Sequence, residues 1–196
     1  MPLVLLLLVS YLIGTFPTGV VVSRALAGRD PRDHGSGHTG GLNVYRTVGL
    51  VGLLLTGVGD IGKGTLAVWL ASRLNPSPWA IPLAGMAVIA GHCWPFYLGF
   101  RGGMGIGTFG GTLLVTSPLM IPLLVVLWGL VYFVLRHTPR ATMGTALLAP
   151  LLVWTVRGPW PLVLAAALVI FVRHIPDRNR NRLAKALPPE EGQRPP

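Results

Sequence analysis

Met1-Pro2-Leu3-Val4-Leu5-Leu6-Leu7-Leu8 opens an apolar run that continues with little interruption to Leu26. No Lys or Arg precedes it, whereas a secretory leader carries positive charge ahead of its apolar stretch, and further apolar segments follow. Residues 3–26 therefore read as a retained first membrane span. Working outward, charges and prolines punctuate six more: 48–71, interrupted by Asp60 and Lys63, then 79–98, 105–117, 119–135, 142–156 and 160–172. Several fall short of the roughly 20 residues that a perpendicular helix needs, so the fourth is a candidate for a partly re-entrant segment. The expectation is an all-α integral membrane protein with seven transmembrane helices. Residues 1–172 form one membrane domain, and a basic tail, 173–196, ends in Pro-rich sequence expected to be disordered.

Composition agrees. Of 196 residues, 52% are hydrophobic and 11% charged, against about 25% charged in an average soluble domain. So few charges cannot cover a soluble surface of this size. The net charge of +10 accompanies a mean hydropathy of +0.62, which favours anionic lipid or phosphate-bearing small molecules over nucleic acid. The single cysteine, Cys93, excludes internal disulfides and cysteine metal clusters, and the five histidines show no metal-ligand spacing. No metal or other cofactor is expected.

Orientation follows from the cations. With the N-terminus outside and the C-terminus cytoplasmic, thirteen of the sixteen Lys and Arg residues fall on inner loops and tail, Arg73 and Arg157 fall outside, and Lys63 lies within a span. The positive-inside rule favours this arrangement over its inverse.

The polar residues that fit a bilayer worst are the candidates for chemistry. The loop before the second span carries Gly35-Ser36-Gly37-His38-Thr39-Gly40-Gly41-Leu42-Asn43-Val44-Tyr45-Arg46. Its glycines, hydroxyls, Asn43 and Arg46 suit a backbone nest for an oxyanion, with a flexible loop as the plain alternative. At the inner end of the third span, Phe100-Arg101-Gly102-Gly103-Met104-Gly105 offers unblocked N–H groups beside a cation. Gly103, Gly107 and Gly111, spaced by four, equally suit close helix packing. Asp60 and Lys63 share a helix face, either as a functional pair at membrane depth or as a structural one. His92 lies within a span. His174 and Asp177 open the tail, where a lipid-binding basic patch is the alternative reading. Four of these five clusters converge on the inner face, and none supplies a lone strong nucleophile, a pattern that points to phosphate recognition rather than covalent catalysis.

In order and spacing, Gly14-Thr15-Phe16-Pro17-Thr18-Gly19, Gly35-Ser36-Gly37 with Gly40 and Asn43-Val44-Tyr45-Arg46, Asp60 with Lys63-Gly64, Gly91-His92 with Pro95, Phe100 to Gly105, and Arg173-His174 resemble the bacterial acyl-phosphate:glycerol-3-phosphate acyltransferases over about residues 10–183. The resemblance carries a seven-helix fold with the N-terminus outside, and implies a multi-pass enzyme of the bacterial inner membrane with a cytoplasmic site. It implies transfer of a fatty acyl group from acyl phosphate to the 1-hydroxyl of glycerol 3-phosphate, giving lysophosphatidic acid and phosphate. By position, it assigns Ser36, Arg46 and His174 to catalysis. Substrate binding falls to Asn43, Lys63, His92, Arg101, Gly102, Gly103, Gly105 and Asp177, with the tail to residue 183 contributing. Its partners are the two small molecules and membrane lipid, with no nucleic acid and no obligate protein partner. Where the family usually reads Phe-Lys-Gly-Gly-Lys-Gly, this chain has Arg101 and Met104; where it usually has Asn, this chain has His38 and Asp177. A related enzyme with another acceptor, or one that binds without turnover, and a small transporter or anion channel are the competing readings.

Overall fold

The computed structural model describes residues 1–177. The cations Arg178, Arg180, Arg182, Lys185 and Arg194, and the contribution to the site assigned to residues 178–183, lie outside the described residues. Those residues fold into nine α-helices and three short 3-10 turns. The first apolar run is two helices, α1 (Leu3–Thr15) and α2 (Thr18–Ala27). A helix not expected from the sequence, α3 (Gly41–Val48), occupies the end of the glycine-rich loop. Then follow α4 (Leu50–Leu74), α5 (Ala80–Cys93), α6 (Ile106–Thr116), α7 (Met120–Leu135), α8 (Thr138–Thr155) and α9 (Trp160–His174). Four segments are long and apolar enough to cross a membrane: Leu3–Ala27, Leu50–Leu74, Ala80–Leu98 and Trp160–Asp177. At helical rise α6 is only about 17 Å long, too short to span a hydrocarbon core of about 30 Å unaided.

Two corrections to the sequence reading have simple causes. The first span breaks at Phe16-Pro17, because proline has no N–H to donate and disfavours helical geometry in the residue before it. The carbonyls released there are not left bare: Tyr97 Oη donates to Thr15 O, and Lys63 Nζ donates to Phe16 O at 3.1 Å. The second span starts at Leu50 rather than residue 48, because Gly49 (φ 85°) turns the chain between α3 and α4.

Large side chains face outward and small ones inward. Val125, Leu130, Phe133 and Val134 of α7 are each more than 60% exposed, whereas Ala67, Ala71, Ala80, Ala84 and Ala166 are fully buried. Lipid tails solvate the first set as well as a protein core would, so helix association rests on close packing of small residues. The contacts are tight enough to require glycine. A Cβ on Gly64 of α4 would lie 2.0 Å from Thr108 O of α6, and one on Gly111 of α6 would lie 2.0 Å from Ile61 O of α4. The pair α1 and α5 meets the same way at Gly14 and Gly91. Of the glycines spaced by four, Gly111 thus serves helix packing, while Gly103 packs on a side chain at the site.

Candidate active site

A cavity of about 340 Å³ lies where α3, α4, α6 and the facing ends of α5, α8 and α9 meet. Its wall begins with the loop before α3, which one side chain organises. Asn43 is 2% exposed. Its Nδ2 donates to the carbonyls of Pro31 (2.6 Å), His34 (3.1 Å) and His38 (2.8 Å), and its Oδ1 accepts from Ser36 N at 2.8 Å. Gly35 must lack a side chain here, since a Cβ would sit 2.4 Å from Asn43 Oδ1. Asn43 lines the cavity, but its amide is engaged by the loop, so its contribution is to position Ser36. Replacing it by alanine would leave several buried backbone groups unpaired. Asn43→Ala is expected to cost about 2–4 kcal/mol and to speed tryptic cleavage at Arg29 and Arg32 at least about tenfold. Wild-type cleavage rates would show that the loop does not depend on it.

A second loop, 99–105, is tied to the first. Arg32 donates to Leu98 O at 3.4 Å, and Arg101 donates to Arg32 O at 3.3 Å. Arg32 is itself held by Asp30 at 2.8 Å, and its hydrogen bond to the Asp30 carboxyl keeps that acid well below the usual carboxylate range. The stability gained this way is present above the ordinary carboxylate pKa and is lost only in stronger acid.

Gly102 and Gly103 correct an expectation. Their N–H groups are not open to a ligand: they donate to Cys93 O (3.2 Å) and His92 O (3.0 Å). Their carbonyls accept from Arg173 at 2.9 and 2.8 Å. Both residues are glycine because a Cβ would lie 2.1 Å from His92 O and from His92 Nε2 respectively. Neither lines the cavity. The groups that do are further along, at Gly105, Ile106 and Gly107. Gly105 adopts φ 84°, where a Cβ would also meet Ile89, and it opens α6 without a side-chain cap among the described residues. The first-turn N–H groups of an α-helix have no intrahelical partner, so this end of α6 presents donors and a positive dipole end to the cavity.

Arg46, in the last turn of α3, lines the cavity from an exposed position and makes no hydrogen bond or ion pair among the described residues. His174 is buried at the end of α9. Its Nδ1 donates to Ile170 O at 2.7 Å, which fixes the ring at the cavity wall. His92 and Asp60 also line the cavity, with Nδ1 and Oδ1 3.5 Å apart. Of the residues assigned from sequence, the structure therefore gathers Ser36, Asn43, Arg46, His92, Gly105 and His174 around one cavity. Lys63, Arg101, Gly102, Gly103 and Asp177 are not in its lining. Lys63 is engaged by Asp60 at 2.9 Å and by the carbonyl at the break of the first span, where it bridges α4 to α1 and α2. Asp177 is held by His38, Nε2 to Oδ2 2.9 Å.

Sequence reasoning missed His38, Arg173 as the clamp on Gly102 and Gly103, and the start of α8, where Thr138, Pro139 and Thr142 line the far wall. The signals were an imidazole in a loop of glycines and hydroxyls, a cation next to His174, and two threonines four apart at a helix start. The cavity holds no thiol, because Cys93 is buried outside its lining. Among the described residues it is lined by one Arg or Lys cation at its rim, a helix N-terminus, a serine and three histidines, a set suited to binding phosphate and stabilising an oxyanion.

Residues 4–185 match the model of a family described as glycerol-3-phosphate acyltransferase. A glycerol-3-phosphate acyltransferase of Jannaschia sp. (strain CCS1) is 39% identical over 188 residues, covering 95% of this chain and 91% of that one. Crystal structures of PlsY (YgiH), an integral membrane glycerol 3-phosphate acyltransferase, share the fold. The glycerol 3-phosphate form superposes with a TM-score of 0.77 at 27% identity, and the lysophosphatidic acid form with 0.76 at 25%. Each covers 91% of this chain and 90% of the other.

Proposed function

We infer the reaction from a plain premise: this chain belongs to the glycerol-3-phosphate acyltransferase family. It is an all-helical integral membrane acyltransferase that moves a fatty acyl group to glycerol 3-phosphate and yields lysophosphatidic acid, a step of phospholipid synthesis. The observation that carries the assignment is the cavity where the uncapped start of α6, Arg46, Ser36 and His174 meet. Its size falls in the range of small-molecule sites.

Our proposal for the donor is acyl phosphate, and the cavity's chemistry supports it. An acyl phosphate is a mixed anhydride whose phosphate leaves well, so the reaction requires no covalent attack by a protein side chain. The start of α6 and Arg46 hold phosphate. The 1-hydroxyl oxygen of glycerol 3-phosphate bonds to the acyl carbonyl carbon, and the carbon–oxygen bond to the phosphate breaks. The departing phosphate takes the hydroxyl proton. Ser36 donates to the developing oxyanion, and His174, in the cavity wall, orients the hydroxyl. The acyl chain remains in the bilayer throughout.

Seven membrane crossings, an outer N-terminus and a site on the cytoplasmic face of a bacterial inner membrane complete the proposal. The one-sided distribution of Lys and Arg supports it. No obligate protein partner enters the scheme.

Purified protein in detergent, supplied with palmitoyl phosphate and glycerol 3-phosphate, should release phosphate and form lysophosphatidic acid in equal amounts. Product from palmitoyl-CoA, with none from palmitoyl phosphate, would overturn the donor assignment. Met104 lines the cavity beside the start of α6. Met104→Lys adds a cation there, and the Michaelis constant for glycerol 3-phosphate should fall about three- to tenfold. An unchanged constant would show that this wall does not face the acceptor phosphate.

A further inference from the structure

Among the described residues that line the cavity, Asp60 is the only carboxylate, and the reaction as set out above gives it no task. It lies in α4 where that helix meets the start of α6, since a Cβ on Gly107 would be 3.4 Å from Asp60 Cβ. Lys63 Nζ is 2.9 Å from its Oδ1, and His92 Nδ1 is 3.5 Å from the same oxygen. Lys63 is anchored in turn at the break between α1 and α2, where it donates to Phe16 O at 3.1 Å. The His92 ring is backed by Gly103, where a Cβ would lie 2.1 Å from Nε2. The closest contacts thus fall on one carboxylate oxygen. Oδ2 makes no hydrogen bond among the described residues, and it is not one of the fully buried polar atoms. The side chain is 7% exposed, and its open surface belongs to the cavity wall.

A carboxylate beside a phosphate site is costly unless a cation compensates it. Lys63 does so from outside the cavity lining, and it leaves Oδ2 as an acceptor. An ionised carboxylate accepts and cannot donate, so it fits a ligand group that carries a proton. Glycerol 3-phosphate has two hydroxyls. The 1-hydroxyl is consumed in the reaction, and its proton goes to the departing phosphate. The 2-hydroxyl does not react, and enclosed in the cavity it needs an acceptor. The Thr142 hydroxyl is already engaged, accepting from Trp128 Nε1 and donating to Thr138 O. Ser36 serves the oxyanion. Asp60 is the strongest acceptor left, because a hydrogen bond to an ionised partner is about twice as strong as a neutral one.

We propose that Asp60 selects the acceptor: its Oδ2 accepts a hydrogen bond from the 2-hydroxyl of glycerol 3-phosphate, while Lys63 and His92 hold the carboxylate in place. This rests on the reading of the cavity as the acyltransferase site. Phosphate at the start of α6 and the 2-hydroxyl on Asp60 fix the acceptor at two points, which sets where its 1-hydroxyl lies. Lys63 is then a positioning residue that acts through Asp60 rather than by touching phosphate. The site prefers a polyol phosphate to the phosphate ester of a simple alcohol.

The test compares glycerol 3-phosphate with 3-hydroxypropyl phosphate, which keeps the phosphate and the reacting primary hydroxyl and lacks only the 2-hydroxyl. Equilibrium binding of each to the purified full-length protein in detergent, without acyl donor, reads the contact independently of turnover. Wild type should bind the deoxy compound about 10- to 100-fold more weakly. In Asp60→Ala the two affinities should come within about threefold of each other, because the variant has lost the acceptor. A residue that only steadied the fold would weaken both ligands alike and leave their ratio as in wild type. If an unpaired Lys63 keeps Asp60→Ala from folding, Asp60→Ala combined with Lys63→Met removes both charges and carries the same expectation. Equal affinities in wild type, or a ratio unchanged in the variants, would overturn the proposal. Absence of lysophosphatidic acid from palmitoyl phosphate would instead sink the acyltransferase reading, with the binding ratio still deciding the role of Asp60.

Discussion

Arg46→Ala is expected to abolish acyl transfer almost completely, lowering kcat/KM by about 10²–10³-fold while the protein elutes and melts as wild type does. The magnitude follows from its position. Arg46 is the cavity cation with no internal partner among the described residues, so its charge is fully available to a phosphate. Charge-assisted, bidentate hydrogen bonds to phosphate are the strong kind, and losing one where charge accumulates in the transition state costs about 3–4 kcal/mol. The fold does not depend on this side chain, since it holds no other element in place. The last turn of α3 also favours a cation there through the helix dipole. Arg46→Lys should recover only part of the loss, because an ammonium keeps the charge but not the planar pair of donors. Full activity in Arg46→Ala, measured as lysophosphatidic acid formed from palmitoyl phosphate, would move the phosphate site elsewhere.

The second large effect belongs to the fold. Gly64→Ala should cost about 3 kcal/mol or more and sharply reduce the yield of folded protein, while Gly62→Ala two residues away should be neutral or stabilising by up to about 1 kcal/mol. Both glycines sit in the interior of α4. A Cβ on Gly62 meets nothing within 4 Å, whereas one on Gly64 would sit 2.0 Å from Thr108 O and 3.2 Å from Thr112 N, all backbone of α6. Backbone cannot rotate away as a side chain can, so the two helices must separate. The damage reaches the site, because Gly107 and Asp60 face each other across the same contact. Thermal unfolding of the two variants side by side in one detergent checks this. Equal midpoints would show that α4 and α6 do not meet as described.

These two predictions mark different degrees of legibility. Arg46 was readable from sequence because a cation closing a glycine-rich loop at a membrane edge has few structural reasons to be there. Ser36, Asn43, His92, Gly105 and His174 stood out for related reasons, being polar or flexible positions in a chain that is otherwise apolar. The same logic singled out Lys63 and Arg101, which do not line the cavity. Hydropathy registers that a charge is costly in a bilayer but not which carbonyl or carboxylate satisfies it. Lys63 is satisfied by Asp60 and by a helix break 47 positions earlier in the chain. Gly102 and Gly103 were assigned to ligand binding because glycine exposes backbone; here the exposed backbone meets α5 and Arg173 instead. The departures at His38 and Asp177 lie 139 positions apart in sequence, and the fold joins them in one contact.

By itself, the sequence determined that this chain lives in a membrane, that it is helical, and that its polar residues gather toward phosphate chemistry. Those properties depend on composition and on local spacing along the chain, which the bilayer acts on directly. Only the tertiary structure decided which donors remain open after the protein has satisfied its own backbone. Helix contacts close enough to exclude a methyl group take up the N–H groups of Gly102 and Gly103 and leave the start of α6 to the cavity. That outcome is set by close contacts between segments brought together by the fold, and no local pattern encodes them.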